Sequence, residues 1–417
     1  MTLAEAKTYP LEATSKLQVL MKNYDRNMRE AKAVGKKIAW GGGVVPMDIM
    51  MAMDIVPAYP ENYSAACGAS HVATPLCQIA EQMGYSTEIC SYARCGIGSN
   101  ALEDPENFKV PLLSKPDILF GATACNAHVK WFEQIGRQYN IPVLILDTPF
   151  IHKDISRDDL QRAIKYVENQ LKAMVEFLSD FCGKPYNYDR LQECVSNTAK
   201  AAKLYGEFVS MGKNKPSPIT AFDCFTHLAP MMQGRGFPET IDYYKSLVDE
   251  VKQRVKDVFS AVGKEHYRLY LDNIPVWYRI GWLSRRLAAQ GACVVTSIYP
   301  WFWVDMFTGL DVERPLESIA ERQELFGLNY FTEYRVKWIA DLAKDFSVDG
   351  LLVPACATCS MYSPEQGVII REVQKLTGMP AGFIEGDMVD ERYFDENLVT
   401  QQLEEFFSVM QAKMKRG

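Results

Sequence analysis

The chain has no surplus of basic residues: 45 lysines and arginines stand against 52 aspartates and glutamates, for a formal net charge of −7. That balance excludes the electrostatic footprint of a nucleic-acid binder or of a protein held on an anionic membrane. The nearest basic stretches, "GKKIAW" and the terminal "KMKRG", are short and read as solvated ends. An apolar run long enough to span a bilayer is also missing. The opening "MTLAEAKTYP" places Glu5 and Lys7 where a secretory signal needs an unbroken apolar core. The expected compartment is the cytoplasm, where structural disulfides are rare. There is no G-x-x-x-x-G-K-[ST] loop, so this chain is not expected to bind a nucleotide itself. Low-complexity segments and assertable repeats are absent too.

What is present is ordinary globular composition, 48% hydrophobic and 23% charged, over 417 residues, enough for more than one core. "LEATSKLQVLMKNYDRNMREAKAVGKK" has the periodicity of an amphipathic helix ending near Gly35. The short apolar runs "KIAW", "PDILFGATAC" and "IPVLILDTPF", with the helical "NAHVKWFEQIGRQYN" between the last two, mark βαβ units and a parallel sheet. Helical periodicity then dominates from about Arg157 to Lys264, broken at Pro216 and Pro218. The α/β rhythm returns with "YRLYLDNIP", "CVVTSIYP", "GLLVPAC" and "PAGFIEGD". The expected organisation is an N-terminal helix and first α/β domain over residues 1–156, a helical connecting section over 157–264 and a second α/β domain over 265–417. Two such halves suit an ancient duplication.

The eleven cysteines are unevenly placed. Cys182, Cys194, Cys224 and Cys293 are scattered singly and read as core thiols, as does Cys77 on the apolar side of a helix. Six others sit beside small residues or at strand ends: Cys67 in "AACGAS", Cys90 and Cys95 in "CSYARC", Cys125 after "DILFGATA", and Cys356 and Cys359 in "CATC". Ligands of parallel α/β sheets sit outside the carboxyl ends of the strands, so this grouping is a metal-site arrangement. A redox dithiol at Cys356 and Cys359 leaves Cys125 and "CSYARC" unexplained. A structural zinc site on Cys90, Cys95, Cys356 and Cys359 leaves Cys67 and Cys125 unused. Iron–sulfur ligation accepts thiolates from widely separated segments, and six divide into two sets of three.

The stretches "AYPENYSAACGA", "GYSTEICSYAR", "CNAHVKWFE", "KPSPITAFDCF", "EHYRLYLDNIPVW" and "MPAGFIEGDMVDERYF" resemble the 2-hydroxyacyl-CoA dehydratase and benzoyl-CoA reductase family over most of the chain. The resemblance implies two Rossmann-like (flavodoxin-like) parallel-sheet domains joined by a helical section, with an iron–sulfur cluster between them. It also implies one [4Fe–4S] cluster on the counterparts of three ligands, Cys90, Cys125 and Cys359. The added Cys67, Cys95 and Cys356 look like the double-cubane cluster branch, in which a bridging sulfide joins two cubanes into one [Fe8S9] unit held by six thiolates. "WGGGVVP" departs from the dehydratases, whose corresponding segment carries hydroxyls; Gly41, Gly42 and Gly43 offer none and read as a tight turn or, less simply, a phosphate cradle.

The implied activity is reduction of small multiply bonded molecules with low-potential electrons from a separate ATP-hydrolysing [4Fe–4S] activator dimer. A homodimer suits a chain that carries all six thiols. His128, one helical turn after Cys125, is the candidate proton donor, against the alternative of a structural histidine. Arg94 either offsets cluster charge or sits on a surface turn, and glycines beside the cysteines are expected to let backbone N–H groups approach the sulfides. Glu133, Glu385 and Asp387 read as caps or salt-bridge partners, and the aromatics of "YPWFWVDMF" as core or dimer contact before cavity lining. The competing expectations are a CoA-thioester dehydratase or reductase with a single [4Fe–4S] cluster and a zinc-bound structural protein.

Overall fold

The computed structural model describes residues 9–104 and 107–415; Glu5, Lys7 and the last two residues of "KMKRG" lie outside them. Two sheets, each of four parallel strands, organise the chain. The first comprises β1 (Ile38–Gly41), β2 (Val56–Ala58), β3 (Ile118–Ala122) and β4 (Val143–Leu146), in the order β2-β1-β3-β4. The second repeats that order with β5 (Tyr267–Leu271), β6 (Ala292–Thr296), β7 (Gly350–Pro354) and β8 (Ala381–Ile384), as β6-β5-β7-β8. The inner strands β1, β3 and β7 are buried at every position, which is why they read as continuous apolar runs rather than alternating ones. In each sheet the order reverses between its two inner strands, so a crevice is expected outside the carboxyl ends of β1 and β3 and of β5 and β7.

The amphipathic pattern near the N-terminus is a helix over Ala13–Glu30, and Gly35 at φ 74° closes the short turn that follows it. Between the sheets lie long helices over Arg157–Cys182, Tyr188–Ser210 and Pro238–Lys256. Their starts are written locally: the Ser156 and Asn187 side chains accept from Asp159 and Arg190 backbone N–H groups, and Pro238 occupies a first-turn position. Arg268 ties this section to the second sheet, donating to the Gly212 carbonyl at 2.6 Å, the Phe346 carbonyl at 2.9 Å and Glu265 at 2.5 Å. Within the second α/β part, buried Arg335 pairs with Asp272, just past β5, at 2.8 Å and with Glu365 at 2.9 Å. Among the described residues no helix is long and apolar enough to cross a membrane.

His227 is buried in the helical section, its Nδ1 paired with the Tyr243 hydroxyl and its carbonyl accepting from Tyr244 at 2.9 Å. Burial, reinforced by Arg254, lowers its pKa from 6.5 to about 4. The unfolded chain therefore binds a proton that the folded chain excludes, and this contribution to stability is present above pH 6.5 and lost as pH falls toward 4. Urea unfolding across that window is expected to show a slope worth roughly 3 kcal/mol that His227→Gln removes. An unchanged slope in the variant would contradict the assignment.

Candidate functional site

The crevice loops carry the distinctive residues. After β1, Gly42 N–H extends the ladder to the Phe120 carbonyl at 3.1 Å, the chain turns through Val45 N–H to the Gly42 carbonyl at 3.3 Å, and Gly43 N–H donates to Glu61 Oε2 at 2.5 Å. Those donors are occupied, so the triplet is a tight turn and not a phosphate cradle. Its lack of side chains has a further cause: a Cβ on Gly42 would lie 2.2 Å from His128 Cε1, and one on Gly43 would lie 2.4 Å from Met232 Cε and 2.9 Å from Trp303 Cη2. The imidazole occupies the volume that a serine or threonine would need.

Cys125 is not within the strand but three residues past the end of β3, as the N-cap of the helix Asn126–Tyr139. His128 N–H closes onto its carbonyl at 3.0 Å. The His128 ring is buried, bonded through Nε2 to Glu61 Oε1 at 3.0 Å and stacked on Phe132, while Nδ1 has no hydrogen-bond partner. Burial opposes the charge on this imidazole, but Cys125 and Glu61 outweigh it and raise the pKa well above the usual value. Glu61 stays below the usual carboxylate range although burial pushes it up, because His128 and the Gly43 N–H favour its charged form. Among the described residues, Glu61, Cys125 and His128 are also the one close group of three potential ligand atoms, within 4.8 Å of one another. Sequence reasoning missed Glu61: at the first turn of the helix Pro60–Ala69, it looked like an ordinary helix-start acid.

Cys90 and Cys95 are on a helix rather than in a glycine-rich loop: Cys90 is the N-cap of Ser91–Ser99 and Cys95 lies within it. Cys67 likewise sits in the helix Pro60–Ala69 and not in a loop. The neighbouring glycines serve close packing instead of opening backbone toward a ligand. Added Cβ atoms would meet Val389 from Gly68 at 2.7 Å, Trp131 from Gly96 at 2.4 Å and the Leu76 carbonyl from Gly98 at 1.9 Å.

The loop after β7 is held by side chains from elsewhere. Thr358, between Cys356 and Cys359, donates its hydroxyl to Asp387 Oδ2 at 2.6 Å and its N–H to the same oxygen at 3.0 Å. The Thr358 hydroxyl in turn accepts the Ser91 N–H at 2.9 Å, satisfying one of the free donors at the start of the Cys90 helix. A second link runs from Ser360 Oγ to Asn126 Oδ1 at 2.8 Å, beside Cys125. Asp387 is thus a buried cap, as its residue type suggests, and Glu133 pairs with Lys130 and Arg137. Arg94 is neither on a surface turn nor beside the cysteine cavity. It is fully buried and pairs with Asp390 at 2.9 Å and Glu81 at 2.5 Å, in a network that Arg392 completes.

These loops bring Cys90, Cys125 and Cys359 to one cavity of about 90 Å³, walled by Tyr92, Tyr299 and Trp303. The aromatic run therefore lines the cavity through Tyr299, Phe302 and Trp303 as well as filling the core. Cys67, Cys95 and Cys356 do not line it. They are fully buried in the core cluster against which Cys90 and Cys359 pack. Cys95 lies next to Cys67, whose thiol its hydrogen bond holds below the usual value; burial and Cys67 raise Cys95. Among the described residues, the four cysteines of the zinc alternative do not form a group within 4.8 Å of one another, as the ligands of one zinc ion would. Cys77 is core, donating to the Ser91 carbonyl; Cys194, Cys224 and Cys293 are buried, whereas Cys182 is half-exposed at a helix end.

Burial raises Cys90 and Cys356, and raises Cys359 to about 12, with neighbouring thiols adding to each. Close, desolvated thiols are held protonated by one another, and a cationic group that accepts thiolates relieves that repulsion. The eleven cysteines form no disulfide, and His128 Nδ1, Ser91 Oγ and Trp303 Nε1 are buried without hydrogen-bond partners. Thiols plus orphaned donors fit a sulfide-bearing metal group, whose sulfurs accept hydrogen bonds.

The family model described as 2-hydroxyglutaryl-CoA dehydratase, D-component, matches residues 43–410. The chain is 28% identical over 407 residues to the (R)-2-hydroxyisocaproyl-CoA dehydratase alpha subunit of Clostridioides difficile, covering 97% of each chain. It is 28% identical over 410 residues to one of the subunits of the benzoyl-CoA reductase of Thauera aromatica, covering 95% of this chain and 94% of that one. With the (R)-2-hydroxyglutaryl-CoA dehydratase alpha subunit of Acidaminococcus fermentans it shares 24% identity over 459 residues, 93% of this chain and 94% of the other.

Replacing Thr358 by Val leaves the Ser91 N–H without its acceptor and removes a donor from buried Asp387. The variant is expected to lose about 1–3 kcal/mol in urea unfolding, while Thr358→Ser, which keeps the hydroxyl, stays close to wild type. Equal stability of the Val variant would show that the hydroxyl does not join the two loops.

Proposed function

Because the chain belongs to the 2-hydroxyglutaryl-CoA dehydratase D-component family, we propose that it is the iron–sulfur catalytic component of an ATP-driven reductase, with an [Fe8S9] double-cubane cluster held by Cys67, Cys90, Cys95, Cys125, Cys356 and Cys359. The observation that supports the larger cluster is that Cys67, Cys95 and Cys356 are fully buried in the core cluster against which two of the cavity thiols, Cys90 and Cys359, pack.

When bound, the cluster supplies storage and transfer of low-potential electrons. The chain supplies the rest. The packed aromatic wall of Tyr92, Tyr299 and Trp303 excludes water and restricts the cavity to small substrates with multiple bonds. His128 holds a proton on Nε2 against Glu61 and is the proposed proton donor, with Glu61 fixing the ring's orientation and Gly43 N–H fixing Glu61. Electrons come from a separate ATP-hydrolysing [4Fe–4S] activator dimer. The chain pairs with a second copy of itself, since it alone carries all six thiols. The working compartment is the cytoplasm.

A second reading has a specific observation in its favour: Cys90, Cys125 and Cys359 alone face the cavity, as three ligands of a single [4Fe–4S] cluster would in a CoA-thioester dehydratase or reductase. Single replacements of Cys67, Cys95 and Cys356 by serine separate the two. The double-cubane reading predicts that each variant, purified without oxygen, loses iron and changes its low-temperature EPR spectrum; wild-type spectra in all three would refute it. In the same assay, His128→Gln is expected to keep the iron and slow reduction on the order of 10²-fold, and an undiminished rate would remove His128 from the mechanism.

A further inference from the structure

A chamber of about 460 Å³ lies against the cysteine cavity, between the helix Ala13–Glu30, the helix Pro60–Ala69 and the short helices near Phe225 and Met232. Asn62, Ala65, Met232, Trp277 and Tyr299 line both spaces, so the two meet at a neck formed by these side chains. Beyond the neck the walls are mainly apolar, with Met21, Met28, Val110, Leu113, Phe225 and Leu228 among them. Ala66 and Ala69, exposed on their helix, stand at the chamber's open side.

Polar groups are few and their positions are informative. Among the described lining residues the charged ones are Asp25 and Arg29, both on the outer helix, and Arg29 is exposed. A single exposed cation does not balance the charge of a phosphorylated handle. At the opposite end, the Asn62 amide and the Tyr299 hydroxyl stand at the neck with no side-chain hydrogen bond to the described protein. Tyr299 is held in place by edge-on contacts to Phe225 and Trp303, at centroid distances of 6.2 Å each. The Gln233 amide also lines the chamber, away from the neck, so the neck is where free hydrogen-bonding groups of the chamber face the cysteine cavity. A mainly apolar volume with such groups at its inner end can orient a ligand by a polar feature.

We propose that this chamber binds an uncharged small molecule with an apolar body and a single hydrogen-bonding head, held head-first at the Asn62–Tyr299 neck and facing the cysteine cavity. That the occupant is the substrate rests on the function proposed above; that the chamber binds such a molecule does not.

The test is a fluorine NMR titration of the full chain, purified without oxygen, with para-fluorobenzonitrile, fluorobenzene and para-fluorobenzoate as probes. The nitrile is expected to bind and the benzoate not. Ala66→Phe and Ala69→Phe, which fill the chamber from its exposed side, are each expected to weaken the nitrile by about tenfold. Asn62→Leu is expected to weaken the nitrile while leaving fluorobenzene unchanged. Absence of nitrile binding, benzoate binding of equal strength, or indifference to both filling variants would overturn the proposal. Iron measured on the same samples keeps the two claims apart. Nitrile binding to a chain that takes up no iron supports the chamber and removes the iron–sulfur reading, whereas iron without nitrile binding overturns the chamber alone.

Discussion

The Thr358 hydroxyl is the point on which the site's geometry turns. It accepts the Ser91 N–H and donates to Asp387, so one side chain joins the helix that begins at Cys90 to the loop that carries Cys356 and Cys359. The two segments are 267 residues apart in the chain and belong to different sheets. The Ser91 N–H is an unpaired donor at a helix start, and Asp387 is a buried carboxylate; neither is tolerable alone in a dry interior, and the hydroxyl satisfies both. At the surface, the Ser360 hydroxyl donates to Asn126 beside Cys125 and adds a second link between the two sheets' loops.

Around this junction the chain uses charge and small residues for position. The Glu81–Arg94–Asp390–Arg392 network joins the helix that carries Cys77 and the helix that Cys90 caps to the segment after β8. Truncating one member of such a buried network leaves an uncompensated charge, which makes it rigid whatever its net contribution to stability. Gly42 leaves room for the imidazole of His128, and Gly43 supplies the N–H that orients Glu61. The turn after β1 is thereby the seat of a histidine–glutamate pair.

Much of the architecture was legible because parallel strands buried on both faces leave continuous apolar runs, and helices with caps and prolines announce their ends. Cys125 and Cys359 were readable from their places past strand ends, whereas Cys90, the cap of a helix, joined them only through the family resemblance. What escaped depends on distance in space. Glu61 looks like any first-turn acid until His128 is seen against it. Arg94 looks exposed in "SYAR" because its partners, Glu81 and Asp390, lie in other segments. The helical settings of Cys67 and Cys95 were obscured by glycines that weaken helix propensity but permit the close packing of neighbouring helices. Periodicity gave no sign that Tyr299, Phe302 and Trp303 face a cavity, since their helix is apolar on all sides.

Three cysteines that line the cavity and three buried in the adjoining core are the central feature, and the account holds that all six serve one metal group. Iron and acid-labile sulfide per chain, determined on protein purified without oxygen, test this most directly. The account predicts about eight irons with slightly more sulfide than iron. About four irons would contradict it and leave the buried trio as core thiols behind a single cubane.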